Sequence, residues 1–170
     1  MSFKDIFQKE FSVINNAHAR VNLIGEHTDY TGGYVLPSLL NFKTTIQISQ
    51  NNKKQYQVYS ENFSEQINFT DFMRSENIDW IDYVKGCLFV FYDENKHIPN
   101  THLNIFISSS IPMGRGISSS SALCVAILKT LNDFFKTQYS KKHIAILAQK
   151  VERNYIGVSG GIMDLSLIHI

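Results

Sequence analysis

The sequence predicts a single α+β domain, and three observations carry that prediction. Segments with strand character come first and segments with helical apolar stripes come later, an order that favours α+β over a doubly wound sheet. A length of 170 residues is that of one domain, and a chain of this size can bury about two-thirds of its unfolded surface. No internal repeat, charge run or Pro-rich linker divides it.

Each element has its own signal. Residues 3–11 place Phe3, Ile6, Phe7 and Phe11 on one helical face, the pattern of a short amphipathic helix. Residues 13–24 are rich in β-branched types and stop at Gly25, so they read as extended. Residues 26–33 are polar and close on Gly32-Gly33, a loop. Strands follow at 34–40, 44–49 and 55–60, with a shorter one at 66–69. Residues 79–92 are helical, with Trp80, Tyr83, Val84, Cys87, Leu88 and Phe91 on one stripe. Residues 103–107 alternate as a strand, broken at Ile111-Pro112. Two helices complete the chain, at 118–135 and at 140–155; the second has Ser140 as its cap and ends near Gly157.

Composition excludes several classes of function. Apolar residues at 44% and charged residues at 18% are those of a globular protein. Sixteen Lys and Arg against fifteen Asp and Glu give a formal charge of +1, so there is no basic field to hold nucleic acid or a membrane surface. Cys87 and Cys124 lie in apolar stretches, which excludes a disulfide scaffold. No apolar run approaches the roughly 18 residues of a membrane span. The first five residues carry an early acid and lack the apolar middle of a leader. The expectation is a soluble protein of a reducing compartment, most simply the cytoplasm.

Three constellations could carry chemistry. The first is Pro112-Met113-Gly114-Arg115-Gly116-Ile117 followed by Ser118, Ser119, Ser120 and Ser121, running straight into a helix. Glycines let a backbone approach a ligand, and the start of a helix favours an anion such as phosphate. Serine hydroxyls can donate to phosphate oxygens or serve as hard ligands for magnesium. The plainer reading is a glycine turn with serines capping a core helix. Two known phosphate loops are excluded: no Lys follows Gly116, and Ser119 stands where a dinucleotide fingerprint needs a third glycine.

The second constellation runs from Arg20 to Tyr30. Arg20 stands in an apolar strand, where a fixed charge needs a partner. Glu26, His27 and Asp29 crowd beyond Gly25, a set suited to the several hydroxyls of a polyol or to a solvated turn. The third is Glu152, on the small-residue flank of the last helix, with Asp164 behind the flexible approach Gly160-Gly161. A carboxylate in reach of a substrate hydroxyl can orient it and take its proton.

Together, and in this order, these segments resemble the galactokinases of the GHMP small-molecule kinase family. ARVNLIGEHTDYTGGYVLP at 19–37 is similar to the galactokinase signature, PMGRGISSSSA at 112–122 to the family's ATP-phosphate loop, and VERNYIGVSGGIMD at 151–164 to the segment ending in the catalytic aspartate. WIDYVKG at 80–86 resembles the stretch near the family's adenine pocket. The similarity spans about residues 17–164.

The resemblance implies the N-terminal domain of the GHMP kinase fold over residues 1–164, with the C-terminal domain absent. It implies transfer of phosphate from ATP, with Mg2+, to the anomeric hydroxyl of α-D-galactose. Glu26, His27, Thr28 and Asp29 would hold sugar hydroxyls, and Gly161 would offer a backbone contact. Gly114, Arg115, Gly116, Ile117, Ser118, Ser119 and Ser120 would wrap the phosphates of ATP, with Trp80 at the base. Ser120 and Glu152 would bind magnesium. Asp164 would activate the sugar hydroxyl, as a base or as an orienting charge, and Arg20 would stabilise charge in the transition state. A kinase for another hexose, such as N-acetylgalactosamine, shares most of these motifs. A non-catalytic sugar and ATP sensor would be expected to have lost the phosphate loop.

Some positions depart from the family pattern. His18-Ala19 replaces a usual Pro-Gly, Ile117 a Leu, Ser121 an Ala, and Cys124 stands where many members carry Glu. After Asp164 the family continues with Gln, whereas residues 165–170 read LSLIHI, which resembles the translation of a transposon-based sequencing adapter. Leu165 to Ile170 are therefore expected to be a non-native tail, and the fragment by itself is expected to be inactive.

Overall fold

A computed structural model of the chain describes residues 1–25, 33–112 and 114–158. Leu165 to Ile170 lie outside them. The elements, in chain order, are α1 (Phe3–Phe7), β1 (Val13–Ile24), β2 (Leu36–Gln50), β3 (Tyr56–Ser60), β4 (Glu65–Phe69), α2 (Trp80–Glu94), β5 (Leu103–Ser109), α3 (Ser119–Phe135) and α4 (Lys141–Lys150). A π-helical turn, Val151–Ile156, continues α4. The five strands form one sheet in the order β1-β2-β5-β3-β4. Its pairs are antiparallel except β3 with β5, which is parallel. This mixed sheet with helices is the expected α+β class.

Alternation along the strands divides the core. Val58, Ile105 and Ile107 join Leu88, Phe91, Ile127, Leu131 and Leu147 in the main core under α2, α3 and α4. Their neighbours Tyr59 and Phe106 point to the other face and pack with Phe3, Ile6 and Phe7 of α1. Burying side chains of this size stabilises the fold by about 1.5–3 kcal/mol each. Cys87 and Cys124 are fully buried free thiols, with Cys87 Sγ 3.8 Å from the Cys124 carbonyl.

Three elements differ from the sequence-based expectation. The first helix stops at Phe7 instead of reaching Phe11, because Gln8 turns left-handed (φ 53°) and donates its N–H back to Lys4 O. Phe11 still reaches Phe3, with ring centroids 6.0 Å apart, by the chain folding back. The strands expected at 34–40 and 44–49 are one continuous strand. Its register against β1 jumps from His18↔Lys43 to Arg20↔Leu39, a bulge that leaves residues 41–43 exposed and so mimics a break in the sequence pattern. The last helix changes to π geometry at Val151, a feature that periodicity does not signal.

Candidate functional site

The segment joining β5 to α3 has an uncommon backbone. Gly114 (φ 70°), Gly116 (φ 68°) and Ser118 (φ 60°) are all left-handed, a region glycine enters freely and serine at a cost. A Cβ added to Gly114 or Gly116 would meet nothing within 4 Å. The glycines are therefore required by the turn, and the space above them is open. Ser118 is the N-cap of α3 yet makes no side-chain cap bond. By contrast, Ser2, Asp79 and Ser140 each accept a bond from an amide of their own helix. The plainer reading of these serines, as caps, does not describe Ser118. Arg115 is exposed, and Ile117, Ser119 and Ser120 are half-buried. Met113 lies outside the described residues.

Strand β1 is bonded directly to this loop. The Arg20 guanidinium donates from Nη1 to Gly116 O at 3.1 Å, and its backbone N–H donates to Ile117 O at 3.3 Å. The charged residue of the second constellation and the glycine loop of the first, 96 residues apart, thus share one place.

A cavity of about 470 Å³ runs from Ser119 and Ser120 to Phe63 and Trp80, with Thr44, Ser109 and Tyr83 on its walls. That volume suits a small-molecule cleft. The Phe63 and Trp80 rings stack at 5.7 Å and 16°, and Trp80 Nε1 donates to Glu65 Oε2 at 3.2 Å. Asn62 is clamped to Ser109 by two bonds, Nδ2 to Ser109 O at 2.7 Å and Ser109 N to its Oδ1 at 2.9 Å. The start of α2 is fixed below Trp80. Asp79 caps the helix, and the fully buried Asp82 accepts from Asp79 N (2.9 Å), Ser75 N (3.0 Å) and Ser75 Oγ (3.2 Å). Burial opposes ionisation of Asp82, but these bonds outweigh it and hold the carboxyl below its ordinary range.

Glu152 is 7% exposed, and its Oε1 accepts from Ser121 Oγ at 2.8 Å. The π-helical turn sets its position. Glu152 O accepts from both Gly157 N and Val158 N, and Arg74 Nη1 donates to Tyr155 O (3.3 Å) and Ile156 O (2.8 Å). Tyr155 lies flush on α2 at Gly86, where an added Cβ would stand 2.7 Å from its ring. Burial raises the Tyr83 phenol above its ordinary range, and Cys124 and Glu152 add to the rise.

Of the residues expected from sequence, Arg20, Gly116 and Ile117 are in contact, and Ser119, Ser120 and Trp80 line one cavity. The hydroxyl bonded to Glu152 is that of Ser121, one residue beyond the expected Ser120. Glu26, His27, Thr28, Asp29, Gly161 and Asp164 lie outside the described residues. Phe63 and Asn62 were not anticipated. An aromatic in the short polar turn between two alternating segments was the available signal. Among the described residues no group of three or more His, Cys, Asp or Glu is arranged to hold a metal, and no helix is long and apolar enough to cross a membrane.

Comparison with known proteins adds the family. The GHMP kinases N terminal domain matches residues 82–168, and the galactokinase galactose-binding signature matches residues 1–50. The galactokinase of Pyrococcus furiosus is 42% identical over 145 residues, covering 85% of this chain and 40% of that protein. The galactokinase of Clostridium acetobutylicum is 37% identical over 166 residues, covering 95% and 42%. Lactococcus lactis galactokinase, solved in complex with galactose, superposes with a TM-score of 0.87 at 32% identity, over 98% of this chain and 44% of that one. A mevalonate kinase shares the fold, with a TM-score of 0.83 at 23% identity, over 93% of this chain and 51% of that one. The chain spans about 40% of the length of the curated relatives it matches. It belongs to the GHMP kinase family, as an N-terminal domain whose likeness is to the galactokinases.

Proposed function

We propose that the parent protein transfers the terminal phosphate of ATP to the anomeric hydroxyl of α-D-galactose, giving galactose 1-phosphate. The observation that carries this reading is the join of Arg20 to the left-handed glycine loop, beside a cleft that ends in an aromatic pair. Phosphoryl transfer requires positioning and charge neutralisation more than covalent help. In this reading the base of ATP lies toward Phe63 and Trp80, and its phosphates lie over Gly114 to Ser120. Arg20 offsets charge that develops during transfer. Glu26, His27, Thr28, Asp29 and Gly161 hold the sugar, and Asp164 orients its hydroxyl and accepts the proton.

Magnesium fits the donor set: a buried carboxylate bonded to the Ser121 hydroxyl is all-oxygen, and Mg2+ is commonly held by one or two carboxylates with nucleotide phosphates. Ser120 and Glu152 would hold it. When bound, it would neutralise phosphate charge. The two free buried thiols support a reducing compartment, the cytoplasm.

The test is sugar-dependent ATP consumption by the full-length protein across galactose, N-acetylgalactosamine and glucose. Turnover with galactose at roughly 1–100 per second is expected. Turnover with N-acetylgalactosamine alone would reassign the substrate, and none with any sugar would overturn the reading. The present chain is expected to bind ATP but not to turn over.

A further inference from the structure

One polar side chain two residues beyond Arg20 has no hydrogen-bond partner among the described residues. Both amide atoms of Asn22, Nδ2 and Oδ1, are buried, and neither has a hydrogen-bond partner among the described residues. Buried amides are nearly always satisfied, and one left unpaired is costly in the folded state. The fold does not place Asn22 at random. Register between β1 and β2 is regular from Arg20↔Leu39 to Asn22↔Pro37, so Arg20 and Asn22 project from the same face of the strand. That is the face from which Arg20 reaches the Gly116 carbonyl. Immediately afterwards the register shifts between Asn22 and Ile24, an irregularity of the kind that re-aims side chains next to active sites. Opposite Asn22, Pro37 has no N–H to give to the ladder.

We infer that Asn22 is a substrate-binding residue whose free amide is matched by a hydroxyl of the sugar. The two ends of the amide decide the ligand class. Nδ2 donates and Oδ1 accepts, so the complementary group must do both, and a hydroxyl does. A phosphate oxygen would satisfy Nδ2 but repel Oδ1, which argues against the nucleotide phosphates at this position. The inference rests on the sugar-kinase reading above and adds a contact to it. It also gives a reason for a buried, unsatisfied group to persist in the strand: the cost in the free protein is recovered when sugar binds.

Asn22→Leu and Asn22→Asp separate the possibilities, with D-galactose binding measured by titration calorimetry, ATP binding by emission of Trp80, the single tryptophan, and stability by thermal melting. Leu removes both polar atoms at similar volume, so the variant is expected to melt about 2–4 °C higher while galactose binding weakens at least tenfold and ATP binding stays within twofold. Asp keeps the shape but loses the donor and is expected to weaken galactose binding at least tenfold as well. A melting point lowered by Leu would show that the amide is a structural strut and would overturn the inference, as would galactose binding unchanged in both variants. If the unaltered chain bound ATP but no galactose, the sugar reading would fall and this contact with it, an outcome distinct from either of those.

Discussion

Two helices begin at the edge of the same cleft, and they begin in opposite ways. At α2 the start is tied down: Asp79 caps, and Asp82 accepts bonds from the Asp79 amide and from the amide and hydroxyl of Ser75. At α3 the cap residue is left-handed, makes no side-chain cap bond, and follows two left-handed glycines with open space around them. The first start is held by its own side chains, and it carries Trp80 on the cleft wall. The second starts from a left-handed backbone and puts Ser119 and Ser120 on the cleft wall, as expected where a helix start meets a ligand. What distinguishes the two helix starts is therefore the left-handed backbone at the cap, more than the serines themselves.

That contrast can be broken by substitution. Gly116→Val forces a β-branched residue into φ 68° and is expected to weaken ATP binding about a hundredfold, equivalent to about 3 kcal/mol. Its melting point should fall as well, because a positive φ strains a β-branched residue even where the added atoms enter open space. Trp80 emission against ATP concentration, with a parallel melt, would check both.

Asp82→Ala should act on stability alone, with a loss of about 2–3 kcal/mol in urea unfolding and little change in ATP affinity. Because the folded carboxyl titrates below its unfolded value of about 3.9, its contribution is complete above that pH and is lost as pH falls through the depressed folded value. The unaltered chain should therefore show an acid limb of instability below about pH 4 that is shallower in Asp82→Ala. Identical acid limbs would remove Asp82 from the account.

Ser121→Ala removes the hydroxyl that donates to Glu152 and is expected to cost about 1.5 kcal/mol by the same unfolding measurement. The smallest effect sharpens the comparison most. Ser118→Gly relieves a left-handed serine and should stabilise by up to about 1 kcal/mol, whereas Asp79→Gly at the other helix should destabilise. Destabilisation by both would mean that the two starts are alike.

Local pattern made much of this visible in advance. α2 and α3 were legible because their apolar stripes are long, and β1 because of its β-branched residues and its stop at Gly25. The glycines at 114 and 116 were legible as a turn, and their positive φ bears that out. The bulge in β2 was not, since Asn41, Phe42 and Lys43 turn outward only because β1 holds the residues on either side. The π-helical turn was hidden as well: it depends on Arg74 and Gly86, which are distant in sequence. The same holds for Ser121, whose role needs Glu152 from another helix, and for Asn22, whose distinction is the lack of a partner.

The order of strands has a consequence for how the molecule is made. β1 with β2, and β3 with β4, are neighbours both in sequence and in the sheet, so each pair can form as soon as it leaves the ribosome. β5 is translated last and must slot between them, against β2 on one side and β3 on the other. Until about residue 109 has emerged, two half-sheets wait with open edges, and the cleft between them does not exist. A slip of β5 by one residue would turn its side chains to the wrong face of both halves at once.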